Sequence, residues 1–330
     1  MRVLVAGGAG FIGSHYVRTA LGGAYPSMVD ASVTVLDRLT PAGGRTALAA
    51  VADHPRLSFV EGDIADERLL AGVVPGHDVV VNFAAETHVD RSITAPRPFV
   101  HSNLVGLQAL LHACVEARIG TVLQVSTDEV YGPVESGSCA EDAPLRPSSP
   151  YAASKAGGDL LALAYRRTYG LDVRITRGVN TYGPYQLPDK LVPLFVTRLL
   201  DGRDVPLYGD GRNVRDWLHV SDHCRGIDLV LHGGRPGAVY HIGGGTELTN
   251  RELTGRLLAA CGAGWDRVEQ VADRRGHDLR YSLDIGRIRE ELGYRPLVGL
   301  DEGLADTVAW YRDHREWWEP LKAAAATALR

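Results

Sequence analysis

Along the first half of the chain, short runs of β-branched and aliphatic residues alternate with longer stretches whose apolar positions recur at helical spacing. Val3 to Ala6, Val33 to Asp37, Leu57 to Glu61, Val79 to Phe83, Val122 to Ser126 and Val173 to Thr176 read as strands. These runs are nearly continuous in apolar character, as expected of strands covered on both faces, and therefore predict a parallel sheet with helices on each side. The expected fold class is α/β, a doubly wound parallel sheet. After about residue 178 the rhythm breaks. Loops become rich in Pro and Gly, and strand-like pieces (Val205 to Tyr208, Val214 to Leu218, Val239 to Ile242) mix with helices. A smaller, mixed α/β C-terminal domain is expected over 179–330, interleaved with the first over 1–178, because the segment near 213–243, through Val239 to Ile242, is placed to return to the main sheet. Asp301 leads into Leu304, Val308 and Tyr311, the spacing of an amphipathic helix.

Composition narrows the class. With 330 residues, 45% hydrophobic and 23% charged, the chain can bury a sizeable core and is neither disordered nor fibrous. A formal net charge of -5 supplies no basic field for nucleic acid. No apolar run near Met1 is long enough for a leader or a membrane span, so a cytoplasmic protein without a membrane partner is expected. Cys114, Cys139, Cys224 and Cys261 are far apart and show neither redox nor metal-ligand spacing, which fits a reducing compartment and no metal. Of the 35 basic residues only Lys155, Lys190 and Lys322 are lysines. An ammonium can tune a neighbouring group where a guanidinium cannot, so each of the three asks for a reason.

Candidate chemistry begins between the first strand and the first helix, at Gly7-Gly8-Ala9-Gly10-Phe11-Ile12-Gly13. Gly7, Gly10 and Gly13 permit a tight turn and a close approach of backbone N–H groups to a pyrophosphate, the Rossmann-type arrangement. Asp37 ends the second strand, where a carboxylate can accept from both ribose hydroxyls and repel a 2′-phosphate. NAD is therefore expected over NADP, although Arg38 beside it is a residue type that can accept the phosphate. Asp63 and Phe83-Ala84-Ala85 follow the third and fourth strands, where cofactor contacts gather.

Tyr151 and Lys155 stand four apart at the start of a helix announced by Pro150, which puts them on one face. A nearby ammonium and the positive nicotinamide lower the pKa of such a phenol toward use as a base. Thr127-Asp128-Glu129 follows the fifth strand at the same sheet edge. Two adjacent carboxylates in a closed site push one toward its protonated form, which provides one acid and one base. Simple hydride transfer needs neither. From the residues alone, a nucleotide-sugar 4-epimerase or a non-catalytic NAD-sensing protein remain the alternatives.

The glycine loop and Tyr-x-x-x-Lys resemble the extended short-chain dehydrogenase/reductase superfamily. Thr127-Asp128-Glu129, Asn180-Thr181-Tyr182-Gly183-Pro184-Tyr185-Gln186 and Arg274-Arg275-Gly276-His277-Asp278 resemble, within it, the dTDP-glucose 4,6-dehydratases, over almost the whole chain. The resemblance implies that Tyr151 takes the 4-hydroxyl proton of dTDP-glucose as hydride passes to NAD, assisted by Lys155 and Thr127. Glu129 then removes the C5 proton, Asp128 protonates the departing 6-hydroxyl, and hydride returns to C6. It also implies cofactor contacts at Phe11, Ile12, Leu39, Thr40, Ile64, Thr87, Ser102 and Thr181. On the substrate side it implies Thr87, Asn180, Lys190, Leu191, Pro206, Leu207, Tyr208, Arg215 and Asn250, with Arg274, Arg275, Gly276 and His277. A homodimer is implied through the helix starting near Pro98 and the one carrying Tyr151. His88, Asp90 and Arg91 could equally tie down their loop. The chain departs from the pattern at Arg38, Pro41, Gly44, Gly178, Val179 and Thr181, which implies looser retention of NAD with the catalytic set intact.

Overall fold

The computed structural model describes residues 1–39, 44–273 and 276–328, with side chains to residue 322. The implied contacts at Thr40, Arg274 and Arg275, and the departure at Pro41, lie outside the described residues. The strands are β1 (Arg2–Ala6), β2 (Ser32–Asp37), β3 (Leu57–Glu61), β4 (Val79–Asn82), β5 (Thr121–Thr127), β6 (Val173–Gly178), β7 (Asn180–Tyr182), β8 (Val205–Tyr208), β9 (Val214–His219), β10 (Val239–Ile242), β11 (Glu247–Thr249) and β12 (Val268–Val271). Seven of them form one sheet in the order β10-β6-β5-β4-β1-β2-β3. Every neighbouring pair in it is parallel. Helices cover both faces and divide the apolar interior. Val3, Val5 and Val35 point into one core with Tyr16 and Ile227, while Leu4, Ala6 and Leu36 point into the other with Leu107 and Leu110. This is the alternation of a pleated strand buried on both sides, and the chain has the expected Rossmann-type α/β fold.

β10 supplies the seventh strand by lying beside β6, so a segment remote in sequence completes the sheet. The later segments add a three-stranded sheet, β11-β9-β7, and a two-stranded one, β12-β8. The short strands β7, β11 and β12 are not evident as apolar runs. They pair at the edges of small sheets, where three or four residues suffice. A third core of Tyr182, Phe195, Trp217, Leu253, Leu304, Tyr311 and Trp318 fills this region. The helix Leu300–Asp313 buries Leu304, Val308 and Tyr311, as its spacing predicted. Lys322 has a packing role here, donating to Asp201 at 2.6 Å with its ammonium over the Trp318 ring. The helix expected near Pro98 is continuous in a different sense: Arg97–Val100 passes through a π-helical turn, His101–Gly106, into Leu107–Glu116.

Parallel strands place all their C-terminal ends on one edge of the sheet, and ligands of such sheets bind outside that edge. Gly7, Arg38, Gly62, Phe83, Asp128 and Val179 each follow directly on a strand of the large sheet and so meet there.

Candidate active site

A single cleft runs along that edge. At one end it is built mostly from backbone. Gly7 adopts φ +74°, and a Cβ on it would stand 2.4 Å from Ala84 N; a Cβ on Gly13 would stand 2.3 Å from Gly7 O. Neither position admits a side chain, and the backbone closes to a tight turn. The following helix, Phe11–Leu21, starts at Gly10 with no side-chain cap and no acidic residue in its first turn. Its first N–H groups thus face the cleft at the positive end of the helix dipole, ready for an anion. Asp37 braces the turn: Oδ2 accepts from Ala9 N at 3.0 Å and Oδ1 from Leu39 N at 2.9 Å. Burial raises its pKa, and those two backbone bonds oppose the rise. Each oxygen keeps a lone pair for a ribose hydroxyl. The glycine cradle and this acceptor pair fit the adenosine diphosphate half of NAD.

Arg38 is not free to serve a 2′-phosphate. Its guanidinium donates to Asp63 at 3.1 Å and to Glu86. Glu86 is itself held by Asn103, which bonds both its backbone N and O. The same Asn103 donates to Ser154 Oγ at 2.8 Å, tying this loop to the catalytic helix. His88 accepts from Arg91 N as a helix cap, and His88 and Arg91 both face Asp189, so these residues do fasten the loop.

At the other end, side chains dominate. The helix Pro150–Tyr169 starts with Ser149 Oγ accepting from Ala152 N at 3.1 Å, has Pro150 in its first turn, and ends at left-handed Gly170. It buries Tyr151 and Lys155 on one face. Lys155 Nζ donates to Val125 O at 2.7 Å. Burial lowers the ammonium to about 8, opposed by Asp159, so it stays mostly charged at neutral pH. The acidity of Tyr151, in the protein alone, is dominated by its burial. Burial pushes the phenol well above its ordinary value, Glu129 adds to the rise, and a hydrogen bond with Thr127 opposes it. Protein groups alone keep the phenol protonated, because burial and the neighbouring Glu129, Asp128 and Asp159 all disfavour the phenolate.

The carboxyl pair behaves as its sequence suggests. Thr127 Oγ1 accepts from Glu129 N at 3.3 Å and caps the short turn Asp128–Tyr131. Thr127 Oγ1 donates to Asp128 Oδ1 at 3.1 Å. Asp128 is buried, its Oδ2 has no hydrogen-bond partner among the described residues, and burial with the Glu129 charge pushes it up to about 7. Glu129 is half-buried and faces the same cleft. One carboxyl is thus poised to be neutral beside another that reaches solvent.

The cleft brings together Gly7, Gly10, Phe11, Ile12, Gly13, Asp37, Asp63, Ile64, Phe83 to Ala85, Thr87, Ser102, Thr127 to Glu129, Tyr151, Lys155, Asn180, Thr181 and Lys190. Lys190 Nζ donates to Thr87 O at 2.9 Å. Leu39, Leu191, Pro206, Leu207, Tyr208, Arg215, Asn250, Gly276 and His277 do not line it. Among these, Arg215 lies close enough to lower the Asp128 pKa, and the Tyr208 and His277 rings meet edge to face at 6.5 Å. Glu86, Leu187 and His223 line the cleft without having been singled out from sequence, and Gln186, the last residue of a recognised motif, lines it as well. Leu187 adjoins that motif and could have been found by continuity. His223 belongs to the remote helix Val220–Gly233 and carries no local signal.

Fold and cleft together define a Rossmann-type dinucleotide enzyme whose reactive end carries an acid–base pair beyond the needs of hydride transfer. A family model described as GDP-mannose 4,6 dehydratase matches residues 4–307. A dTDP-glucose 4,6-dehydratase of an Actinoplanes species is 61% identical over 320 residues, 96% of this chain and 100% of the relative. The crystal structure of DesIV, a dTDP-glucose 4,6-dehydratase of Streptomyces venezuelae with NAD bound, is 64% identical, superposes with a TM-score of 0.96, and is matched over 97% of this chain and 100% of that one. A UDP-glucose 4-epimerase of Thermotoga maritima is similar at 31% identity and a TM-score of 0.87, over 95% and 99% of the two chains. The chain belongs to the nucleotide-sugar 4,6-dehydratase family, among the dTDP-glucose 4,6-dehydratases.

Proposed function

We propose that the protein converts dTDP-glucose to dTDP-4-keto-6-deoxyglucose and water, as an NAD-dependent hydro-lyase. The observation that carries this is the buried Asp128, held near 7, beside Glu129 in a cleft that also holds Tyr151 and Lys155. An epimerase working only at C4 has no use for that pair.

NAD, when bound, supplies the acceptor for the C4 hydride and the donor that reduces C6. Tyr151 accepts the 4-hydroxyl proton. The charges that can draw off its own proton are the Lys155 ammonium and the positive nicotinamide. Thr127, whose hydroxyl lies between Tyr151 and Asp128, turns its single proton from Asp128 to O4 when the sugar binds. Oxidation at C4 acidifies C5, and Glu129 takes that proton. Asp128, protonated, gives its proton to the departing 6-hydroxyl, which leaves as water. Reduction at C6 and reprotonation at C5 complete the product and restore the cofactor.

Residues 1–178 with the returning segment near 213–243 hold the dinucleotide, and the rest of 179–330 contributes the nucleotide-sugar side, with Asn180 and Lys190 at the cleft. The homodimer reading is supported by Val100, Val105 and Leu160, exposed apolar residues on the helices of residues 97–116 and 150–169. A reducing compartment fits the four unpaired cysteines. No helix among the described residues is long and apolar enough to cross a membrane.

The deciding experiment incubates the protein with dTDP-, UDP-, CDP- and GDP-hexoses and follows the alkaline absorbance of a 4-keto sugar. Signal with dTDP-glucose is expected. Interconversion of C4 epimers without that signal would support an epimerase, and silence with all four would leave a binding protein.

A further inference from the structure

His223 is 2% exposed, lies on the wall of the cleft, and has one ring nitrogen, Nε2, without a hydrogen-bond partner among the described residues. Its ring packs against Gly178, where a Cβ would stand 2.5 Å from both Cε1 and Nε2. Gly178 is register partner of Thr127, so the buried, orphaned nitrogen sits at the reactive end of the cleft wall and not the adenosine end. The other nitrogen is engaged: Nδ1 lies 2.7 Å from Thr181 Oγ1. Thr181 has a single hydroxyl proton, and it donates to Val179 O at 3.1 Å. Both contacts are satisfied at once only if Nδ1–H donates to Thr181, and this assigns the tautomer. Nε2 then presents a lone pair, and burial, which lowers the ring to about 4, keeps it neutral at physiological pH. A buried acceptor of this kind is costly unless a ligand supplies a donor.

We propose that His223 is a positioning residue for the cofactor, accepting at Nε2 a hydrogen bond from the carboxamide N–H2 of the nicotinamide and so fixing the rotation of the ring that faces the sugar. The inference rests on the NAD reading above. The cofactor's reactive ring belongs at the Tyr151 end of the cleft, and its carboxamide is the neutral N–H donor it carries there. The same assignment gives Thr181 a purpose, since its hydroxyl holds His223 in the accepting tautomer.

Dinucleotide affinities measured by calorimetry on the full chain, stripped of bound nucleotide, test this with three ligands. NAD and thionicotinamide adenine dinucleotide carry the amide N–H2, and 3-acetylpyridine adenine dinucleotide does not. The unmutated protein should favour NAD over the acetyl analogue by about ten-fold, the size of one neutral hydrogen bond. His223→Phe should bring that ratio close to one, and His223→Gln, which retains an acceptor, should keep part of it. The ratio of NAD to the thio analogue should be the same in all three proteins. A merely structural His223 would weaken all three ligands together and leave the ratios untouched, which would overturn the proposal. If His223→Phe does not fold, 15N-histidine NMR of the unmutated protein replaces it. Nε2 should be unprotonated, and its resonance should shift on adding NAD but not the acetyl analogue; a protonated Nε2 or equal shifts would overturn the proposal. Failure of the unmutated protein to bind any of the three would instead sink the NAD reading itself.

Discussion

The two ends of the cleft recognise by different means. Around Gly7, Gly13 and Asp37, the elements are backbone groups already in place, and the constraint is space: the turn closes where any Cβ would collide. Around Asp128, Tyr151, Lys155 and His223, the elements are buried side chains with shifted acidities, and two of them keep a polar atom without a partner among the described residues. A preformed cradle suits a ligand that stays bound and does not react. Unsatisfied, desolvated groups suit a site where protons move, because burial is what carries their pKa values away from the solution range.

If the two ends work separately, damage to one should spare the other. The largest effect is expected at Glu129→Gln, which should lower turnover on the order of 10³-fold and stop solvent deuterium from entering C5. NAD affinity, measured by calorimetry, should stay within about two-fold of the parent; continued C5 exchange would remove Glu129 from the base role. Next comes Asp128, raised from 3.8 to about 7. Between those values the folded chain holds a proton that the unfolded chain has lost, so its contribution to stability falls as pH rises through the window and is flat above it. Asp128→Asn should therefore be more stable than the parent at pH 8 by about 2–4 kcal/mol, with the two converging near pH 4 in denaturant titrations. Parent turnover should also fall as pH climbs past about 7 and the acid ionises.

Smaller changes belong to the cradle. Gly7→Ala meets both a positive φ and the backbone of Ala84, and should weaken NAD binding on the order of 10–100-fold. The deuterium-exchange chemistry of the molecules that are saturated should change little. The smallest effect is at the adenosine rim, where Glu86→Gln releases one of the two acids holding Arg38. The NADP-to-NAD affinity ratio should rise by about five-fold, the scale of a partly exposed ion pair, and Arg38→Ser in the same background should cancel the gain. A ratio that ignores both changes would mean that Asp37 alone excludes the 2′-phosphate.

Much of this site was legible because its motifs are local. A glycine loop after β1, Thr127-Asp128-Glu129 after β5 and Tyr151 with Lys155 one turn apart each carry chemistry within a few residues. A parallel sheet brings such strand ends to one edge without further information. The scarcity of lysine pointed correctly to Lys155 and Lys190 in the cleft, while Lys322 belongs to packing. What was not legible depends on distance along the chain. Nothing near residue 223 announces that a histidine on a later helix will press against Gly178, and nothing near residue 38 shows that its arginine will be taken up by Asp63 and Glu86. Spacing likewise puts Tyr151 and Lys155 on one face, whereas the rise that burial and the nearness of Glu129 impose on the phenol follows from packing.

By itself, then, the sequence determined the strands of the large sheet, the sheet edge and the candidate reacting groups, since periodicity and short-range spacing are properties of the chain. The tertiary structure decided which of those groups are charged and which donors and acceptors remain unmet. Charge state depends on desolvation and on neighbours brought in from as far as Arg215 and Asp216 beside Asp128, and those exist only once the chain has packed.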